Sequence, residues 1–254
     1  MPGQPTGTES FFKPRLSFLE HAPATCAGIR ALCQAFVSAP DQVSRAARFE
    51  DFYQKVRFLT ATAGFAQFRH VALLGSAFEA LFFELREKPA LPTPSVLRTL
   101  VFTVDFLSEL CARARVADDD VEFSARVLVV DDDPLSNRIV LAALLRAHLP
   151  AQSTEDPASA LQMLKEKHCD LVLLDIEMPG MDGFELCKRM RALPGYQKTP
   201  VIYVTAHTDF EHRAKSVLSG GNDLIAKPVI PIELAVKAVT HLLKSQLTEP
   251  RTPS

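Results

Sequence analysis

Residues 173–183 read LLDIEMPGMDG, which begins with a short apolar run that ends in the acid Asp175. Three other segments of the second half share this design: VVDDD at 129–133, VIYVTA at 201–206 and AKP at 226–228. If the four runs are neighbouring parallel strands, their polar ends meet at one edge of a sheet, where open α/β folds bind ligands. The sequence therefore predicts carboxylates, a hydroxyl and an ammonium group close together.

Apolar strands alternate with helical patterns around these segments. We predict strands near 126–130, 151–154, 170–174, 200–204 and 223–226, and helices near 135–149, 157–167, 183–192, 208–219 and 231–245. Asp133-Pro134 is typical of a helix start, because proline is favoured in the first turn. Five β-α units predict an α/β fold with a doubly wound, five-stranded parallel sheet.

A different sequence pattern predicts that the first half of the chain is helical. Apolar residues recur at steps of three and four in series that begin at Leu19, Phe49, Val71 and Leu97, so each series lies on one helix face. Short connections predict an all-α antiparallel four-helix bundle ahead of the α/β part. The predicted domains are a disordered tail at 1–15, the bundle at 16–116, a linker at 117–125, the α/β domain at 126–246 and a C-terminal tail at 247–254.

Composition excludes several classes of protein. The formal net charge is −2 and neither half is strongly basic, so we expect no direct nucleic-acid partner. No run reaches the roughly 18 apolar residues of a membrane span, and the first residues do not resemble a signal peptide. Five scattered cysteines without a CxxC pair indicate reduced, buried thiols in a cytoplasmic protein.

The acids at the strand ends suit phosphoryl chemistry. Asp131, Asp132 and Asp175 would repel one another unless a cation shared them, and Mg²⁺ prefers such oxygen ligands. A carboxylate can also attack phosphorus and form an aspartyl phosphate. The ammonium of Lys227 and the hydroxyl of Thr205 would stabilise the phosphoryl oxygens.

Residues from about 125 to 245 resemble the receiver domains of two-component response regulators, which have the flavodoxin-like sheet predicted above. The resemblance implies that Asp175 is the phosphoacceptor. It implies that Asp132 binds Mg²⁺ directly, that Asp131 acts through water, and that the carbonyl of Glu177 is a third protein ligand.

The same resemblance assigns the remaining polar positions. Thr205 and Lys227 match the pair that senses the phosphate, and a cis peptide is implied at Lys227-Pro228, where proline makes it accessible. Many receivers carry Tyr or Phe three residues before the lysine, but this chain has Leu224. We expect no enzymatic activity beyond autocatalysed phosphoryl transfer to Asp175.

The bundle has a resemblance of its own. FLEHAP at 18–23, VRFLTATAG at 56–64 and SAFEAL at 76–81 look like histidine phosphotransfer domains of chemotaxis-type kinases. The family's His-x-x-Lys-Gly motif is replaced here by Arg57, Thr60 and Ala61, and arginine cannot carry the phosphoryl group in that chemistry. The bundle therefore resembles a pseudo-phosphotransfer domain. Arg57 and Thr60, three residues apart, are predicted to share an exposed docking face, with an exposed Phe58 near Arg57 as part of the contact surface.

Taken together, these features predict a response regulator in a phosphorelay that signals through protein–protein contact. The expected partners are a sensor histidine kinase or phosphotransfer protein, a downstream protein target, and a second copy in a homodimer. One alternative is a phosphorelay intermediate that uses His70 or His21 of the bundle. Another is a haloacid-dehalogenase-like phosphatase, although Leu135 stands where that family has Thr or Val.

Overall fold

The computed structural model describes residues 7–88, 92–115, 124–206 and 215–248. The chain divides into two compact units, Met1–Phe123 and Ser124–Ser254. Most of the predicted linker and the C-terminal tail from residue 249 lie outside the described residues. The exact domain boundaries therefore stay a prediction.

In its described residues, the first unit has four helices: α1 Gly7–Val37, α2 Gln42–Phe65, α3 Arg69–Glu87 and α4 Pro94–Arg113. Helix α1 packs on α2 and α4, and α3 packs on the same two helices. This closed arrangement is the predicted four-helix bundle. The side chains of Asp41 and Thr93 cap α2 and α4 by accepting hydrogen bonds from backbone N–H groups, which satisfies donors that a helix start leaves open.

The bundle core is built from the apolar series seen in the sequence. Phe52, Val56 and Leu59 of α2 are fully buried, and the Phe52 ring centroid lies 4.7 Å from that of Phe82 and 6.0 Å from that of Phe78. Edge-to-face ring pairs at these distances add to the gain from apolar burial. The helical periodicity of the apolar residues in the sequence therefore reflects their burial in this core.

The prediction of a disordered tail at residues 1–15 is wrong for residues 7–15. Residues 7–15 belong to α1, which runs past Pro14 and Pro23 without a break. The Arg15 guanidinium lies 4.4 Å from the ring centroid of Phe68, and the Phe18 ring packs 4.7 Å from the same ring. These contacts hold Arg15 and Phe18 of α1 against the α2–α3 connection, so tertiary packing outweighs a composition rich in Pro, Gly and Thr.

The second unit alternates strands and helices. Its elements are β1 Val127–Val130, α5 Pro134–Arg146, β2 Ala151–Thr154, α6 Pro157–Glu166, β3 Leu171–Asp175, α7 Gly183–Arg191, β4 Val201–Thr205, β5 Asp223–Ala226 and α8 Pro231–Thr248. The predicted helix at 208–219 falls largely outside the described residues, and residues 215–218 are helical.

All five strands run parallel in the order β2-β1-β3-β4-β5. This order confirms the predicted fold class. Strands β1, β3 and β4 are buried along their whole length, which explains their nearly uninterrupted apolar sequences. The order reverses between β1 and β3, and the crevice beyond their carboxyl ends is the expected ligand site.

Two other expectations concern the whole chain. All five cysteines are free and buried. Among the residues that the structure describes, no helix has both the length and the apolar character that a membrane crossing requires.

Candidate functional site

Three carboxylates meet at the carboxyl edge of the sheet. Asp131 follows β1, Asp175 ends β3, and the two strands are paired up to Val130 and Leu174. One carboxylate oxygen each of Asp131, Asp132 and Asp175 lies within 4.8 Å of the others. Asp131 and Asp175 are 2% and 5% exposed, whereas Asp132 is exposed. The sequence therefore placed the acidic cluster correctly.

Lys227 brings a positive charge to this cluster. Its Nζ lies 2.9 Å from Asp131 Oδ2 and 3.2 Å from Asp175 Oδ1. The backbone N–H of Lys227 donates to the Thr205 carbonyl at 2.7 Å, and the Lys227-Pro228 peptide is cis. One ammonium thus bridges two buried carboxylates that belong to different strands.

Burial and charge act in opposite directions on these groups. Burial raises the pKa of Asp175; the Lys227 ammonium lowers it and Asp131 raises it, and the net effect is a raised pKa. Burial lowers the pKa of Lys227, but the hydrogen bond that its ammonium donates to Asp131 and the charges of both carboxylates outweigh burial and raise this pKa. Lys227 therefore stays protonated at neutral pH.

Thr205 and Glu177 are the remaining predicted site residues. Thr205 is fully buried and ends β4. It pairs with Ala226 of β5, the residue that precedes Lys227 in the chain. The predicted Thr205–Lys227 pair is therefore brought together at the same edge. Glu177 lies two residues after Asp175 and is exposed, and the role of its carbonyl stays a prediction.

Two residues that position Asp131 were not found from the sequence. The Ser136 hydroxyl donates to Asp131 Oδ2 at 2.5 Å, and the Asn137 side-chain amide donates to the Asp131 carbonyl at 2.7 Å. Both lie in the first turn of α5, whose start is capped by Asp133. The sequence signal for these two contacts is the helix start at Asp133-Pro134. A helix that begins there places the polar residues of its first turn, Ser136 and Asn137, beside the end of β1.

Gly183 is a further residue that the site requires. A Cβ atom at this position would overlap with the carbonyl oxygen of Asp175 and lie 3.1 Å from Ile176 Cα. The Gly183 N–H also donates to the Ile176 carbonyl at 2.9 Å. Helix α7 can therefore pack close to Asp175 only without a side chain at position 183.

We expect Gly183→Ala to lower the free energy of unfolding of the second unit by about 2 kcal/mol, as overpacking against rigid backbone does. Amide hydrogen exchange of β3 measures this locally. Gly180→Asn is the matched control, because nothing lies within 4 Å of a Cβ there and Asn tolerates its positive φ of 78°. Equal exchange in the two variants would contradict the close packing at Gly183.

Leu224 stands where many receivers have an aromatic residue. It is 8% exposed and lies beside Tyr203 in the β4–β5 pairing. The Tyr203 hydroxyl is hydrogen-bonded to Ser219 Oγ at 2.7 Å. The interior of the sheet at this point is thus filled by an aliphatic side chain and a fixed ring.

The three predicted interaction residues of the bundle differ in exposure. Arg57 is exposed and Phe58 is 56% exposed. Thr60 is half-buried, and a Cβ atom at Gly75 of α3 would overlap with its hydroxyl. The expectation of a common exposed face was wrong for Thr60, because the α2–α3 contact covers it. The interaction role of Arg57 and Phe58 stays a prediction.

The two histidines of the alternative hypothesis lie outside α2. His21 is exposed on α1, with Nδ1 2.7 Å from the Ser17 carbonyl. His70 is half-buried in the first turn of α3. Neither occupies the helix position of the phosphotransfer motif.

Residues 127–239 match the family described as the response regulator receiver domain. Response regulator PleD of Caulobacter vibrioides is 35% identical over 111 residues, which are 44% of this chain and 24% of PleD. The signal transduction histidine-protein kinase BarA of Escherichia coli is 32% identical over 142 residues, 56% of this chain and 15% of BarA. A solved CheY-like receiver domain protein from Methanospirillum hungatei is 25% identical, with 50% of this chain and 100% of that chain covered and a TM-score of 0.47.

This chain therefore spans about a quarter or less of the length of PleD and BarA. The family match begins at residue 127, so the likeness of the bundle to phosphotransfer domains stays a prediction. Both relatives named above are signalling proteins by their names, and the matched segment contains Asp131, Asp132, Asp175, Thr205 and Lys227. By its sheet order, its acidic cluster and its family match, the segment 127–239 of this chain is a response regulator receiver domain.

Proposed function

We propose that this chain is a phosphorelay response regulator that is phosphorylated on Asp175 with Mg²⁺ and signals by protein–protein contact. The observation that carries the proposal is the convergence of Asp131, Asp132 and Asp175 within 4.8 Å, with Lys227 bridging the two buried carboxylates. Receiver domains bind Mg²⁺ at such a cluster and interact with histidine kinases or phosphotransfer proteins. They are not generally enzymes in the usual sense.

Asp175 is set up to act as a nucleophile. Among the described residues, the hydrogen bond from the Ile176 N–H and the ion pair with Lys227 both fall on Oδ1, which leaves Oδ2 to attack phosphorus. The new O–P bond forms as the bond from phosphorus to the donor's leaving group breaks, and the product is an aspartyl phosphate. Because only the ionised carboxylate attacks, we expect the rate to rise with pH until Asp175 is fully ionised and then to level off.

The donor set fits a hard divalent cation. All three side chains offer carboxylate oxygens, which Mg²⁺ prefers, and three carboxylates against one ammonium leave an excess of negative charge. Asp131, Asp132 and Asp175 would hold the ion. When bound, Mg²⁺ supplies positive charge that offsets the negative charge of the phosphoryl oxygens.

Removal of the exposed carboxylate tests this assignment. We expect Asp132→Ala to weaken Mg²⁺ binding by about tenfold or more, because it removes an oxygen ligand. Calorimetric titration of the full chain with Mg²⁺ measures the effect. Asp133→Asn is the control, since Asp133 caps α5 and Asn serves equally well at that position. Unchanged Mg²⁺ affinity in Asp132→Ala would exclude Asp132 as a ligand.

We assign the downstream signal to protein contacts, with a sensor histidine kinase or phosphotransfer protein as phosphodonor. The net charge of −2 gives no support for direct nucleic-acid binding. A downstream protein target and a homodimer are both compatible with this output.

The bundle is proposed as an inactive docking module. Arg57 stands at the motif position of the phosphoacceptor histidine, and it offers a fixed positive charge instead of a labile phosphohistidine. Incubation of the full chain with a phosphorylated receiver is expected to leave the first unit unlabelled, and Arg57→Glu is expected to weaken binding to a receiver several-fold. A labelled histidine in the first unit would favour the phosphorelay-intermediate alternative instead.

A further inference from the structure

A groove of about 520 Å³ runs between α1 and α2 of the bundle. Phe58 and Phe65 of α2 form one wall, and they are 56% and 78% exposed. Residues of α1 from Lys13 to Thr25 form the other wall. Two exposed phenylalanines beside a groove are costly in water unless a partner covers them.

The floor of this groove is apolar in effect. Phe18 and Leu59 are 5% and 1% exposed and close it from below. The two threonine hydroxyls that line it bond within their own helices, since Thr25 Oγ1 donates to the His21 carbonyl at 3.0 Å and Thr62 Oγ1 donates to the Phe58 carbonyl at 2.8 Å. A ligand would therefore meet mainly hydrocarbon and ring surface.

The ionisable side chains along the groove are all basic. Lys13 and His21 line the α1 wall. Beyond the Phe58 end of the groove, Lys55 lies across Gly28, with its Cε 3.1 Å from the position of a Cβ there. Among the lining side chains that the structure describes, none is an Asp or a Glu. The groove is thus apolar along its length, and the ammonium groups of Lys13 and Lys55 form a cationic rim.

We propose that the α1–α2 groove binds an amphipathic helix of a partner protein, with acidic residues flanking an apolar ridge. The inference rests on the proposed docking role of the bundle and names the surface and the chemistry of its partner. Phe58 and Phe65 are seven residues apart, about 10 Å along the helix, which matches two turns of a helix with apolar residues at i, i+3 or i+4, and i+7. Acidic side chains beside that ridge pair with the cationic rim.

The first test uses a synthetic probe and the full chain. The probe is a fluorescent helical peptide of about 18 residues, since shorter isolated helices are marginal in water, with a leucine ridge flanked by glutamates. A peptide of the same composition without the ridge and one with lysine for glutamate are the matched probes. Fluorescence anisotropy is expected to show saturable binding of the acidic amphipathic peptide only. Equal binding of all three, or binding of none, overturns the proposal.

Variants of the groove locate the site. Phe58→Asp and Phe65→Asp are each expected to weaken binding of the acidic peptide by about tenfold or more, as the loss of an aromatic anchor does. Phe83→Asp is the control, because Phe83 is 54% exposed on α3 and does not line the groove. Binding that Phe83→Asp weakens as much as the groove variants do would place the peptide elsewhere. Circular dichroism of each variant confirms that the bundle stays helical.

Two further measurements separate this inference from the proposed function. Labelling of Asp175 is recorded for the wild-type chain and for each groove variant, and it is expected to be the same in all of them. A wild-type chain that is not labelled counts against the proposed function and leaves the groove untouched. Capture of a receiver protein by the wild-type chain is compared with capture by Phe58→Asp. Equal capture overturns the groove as the docking surface and leaves the docking role of the bundle intact.

Discussion

Asp175→Asn is expected to abolish phosphorylation of the full chain by a small phosphodonor such as acetyl phosphate in the presence of Mg²⁺. The wild-type chain should gain one phosphoryl group, which intact-mass spectrometry detects. Asn has nearly the same shape as Asp, but its amide does not act as the attacking oxyanion. The predicted effect is complete because Asp175 alone of the clustered acids ends β3, with Oδ1 held by Ile176 N–H and Lys227.

Asp156→Asn is the matched control for this experiment. Asp156 is a solvent-exposed residue of the same unit that caps α6, and Asn is an equally good cap. We expect this variant to be labelled as the wild-type chain is. If Asp175→Asn is labelled to the same extent, Asp175 is not the phosphoacceptor.

The second large effect concerns a buried ionic cluster at the opposite end of β5. Lys237 Nζ lies 2.7 Å from Asp223 Oδ1, and His241 Nε2 lies 3.1 Å from Asp223 Oδ2. Lys237 is 3% exposed, so Asp223→Asn would leave a buried ammonium without its counter-ion. We expect the free energy of unfolding of the second unit to fall by about 3 kcal/mol.

The pH dependence of this loss follows from the pKa of Asp223. Burial acts to raise it, but the hydrogen bond from His241 and the charge of Lys237 outweigh burial and lower the pKa below its ordinary value of 3.8. A lowered carboxyl pKa contributes stability above the unfolded-state value, and that stability is lost as the pH falls through the folded-state value. The advantage of the wild-type chain over Asp223→Asn should therefore shrink below about pH 4.

Amide hydrogen exchange of β5 and α8 reports this difference for the second unit alone. Glu185→Gln is the control, since it breaks a solvent-exposed ion pair in which Glu185 Oε1 lies 2.8 Å from Arg189 Nε. Such pairs contribute little, so we expect a change within about 0.5 kcal/mol. Equal losses of unfolding free energy in Asp223→Asn and Glu185→Gln would show that the Asp223 cluster stabilises the unit no more than a surface ion pair does.

Sequence patterns predicted the second unit well because each pattern has one dominant physical cause. Central strands β1, β3 and β4 are buried on both faces, so their apolar runs are hard to mistake. Parallel pairing then forces the strand ends to one edge, which is why the sequence pattern alone brings Asp131, Asp175 and Lys227 together.

Other features depend on contacts that no local pattern encodes. The prediction of a disordered tail covers residues 7–15 because residues 1–15 are rich in Pro, Gly and Thr, whereas Arg15 and Phe18 pack on Phe68. Thr60 was assigned to an exposed face because helix spacing fixes which residues share a side but not which neighbour covers it; Gly75 of α3 leaves room for it there. The role of Gly183 likewise appears only once α7 lies against Asp175.

The position of the phosphoryl group tests the account most directly. The full chain is labelled with acetyl phosphate and Mg²⁺ and reduced with borohydride, which converts an aspartyl phosphate to homoserine, and its peptides are then sequenced by mass spectrometry. We predict homoserine at position 175 and at no other acidic residue, with no phosphate on His21 or His70. Homoserine at Asp131 or Asp132 instead, or a phosphohistidine in the bundle, would contradict the proposed chemistry of this chain.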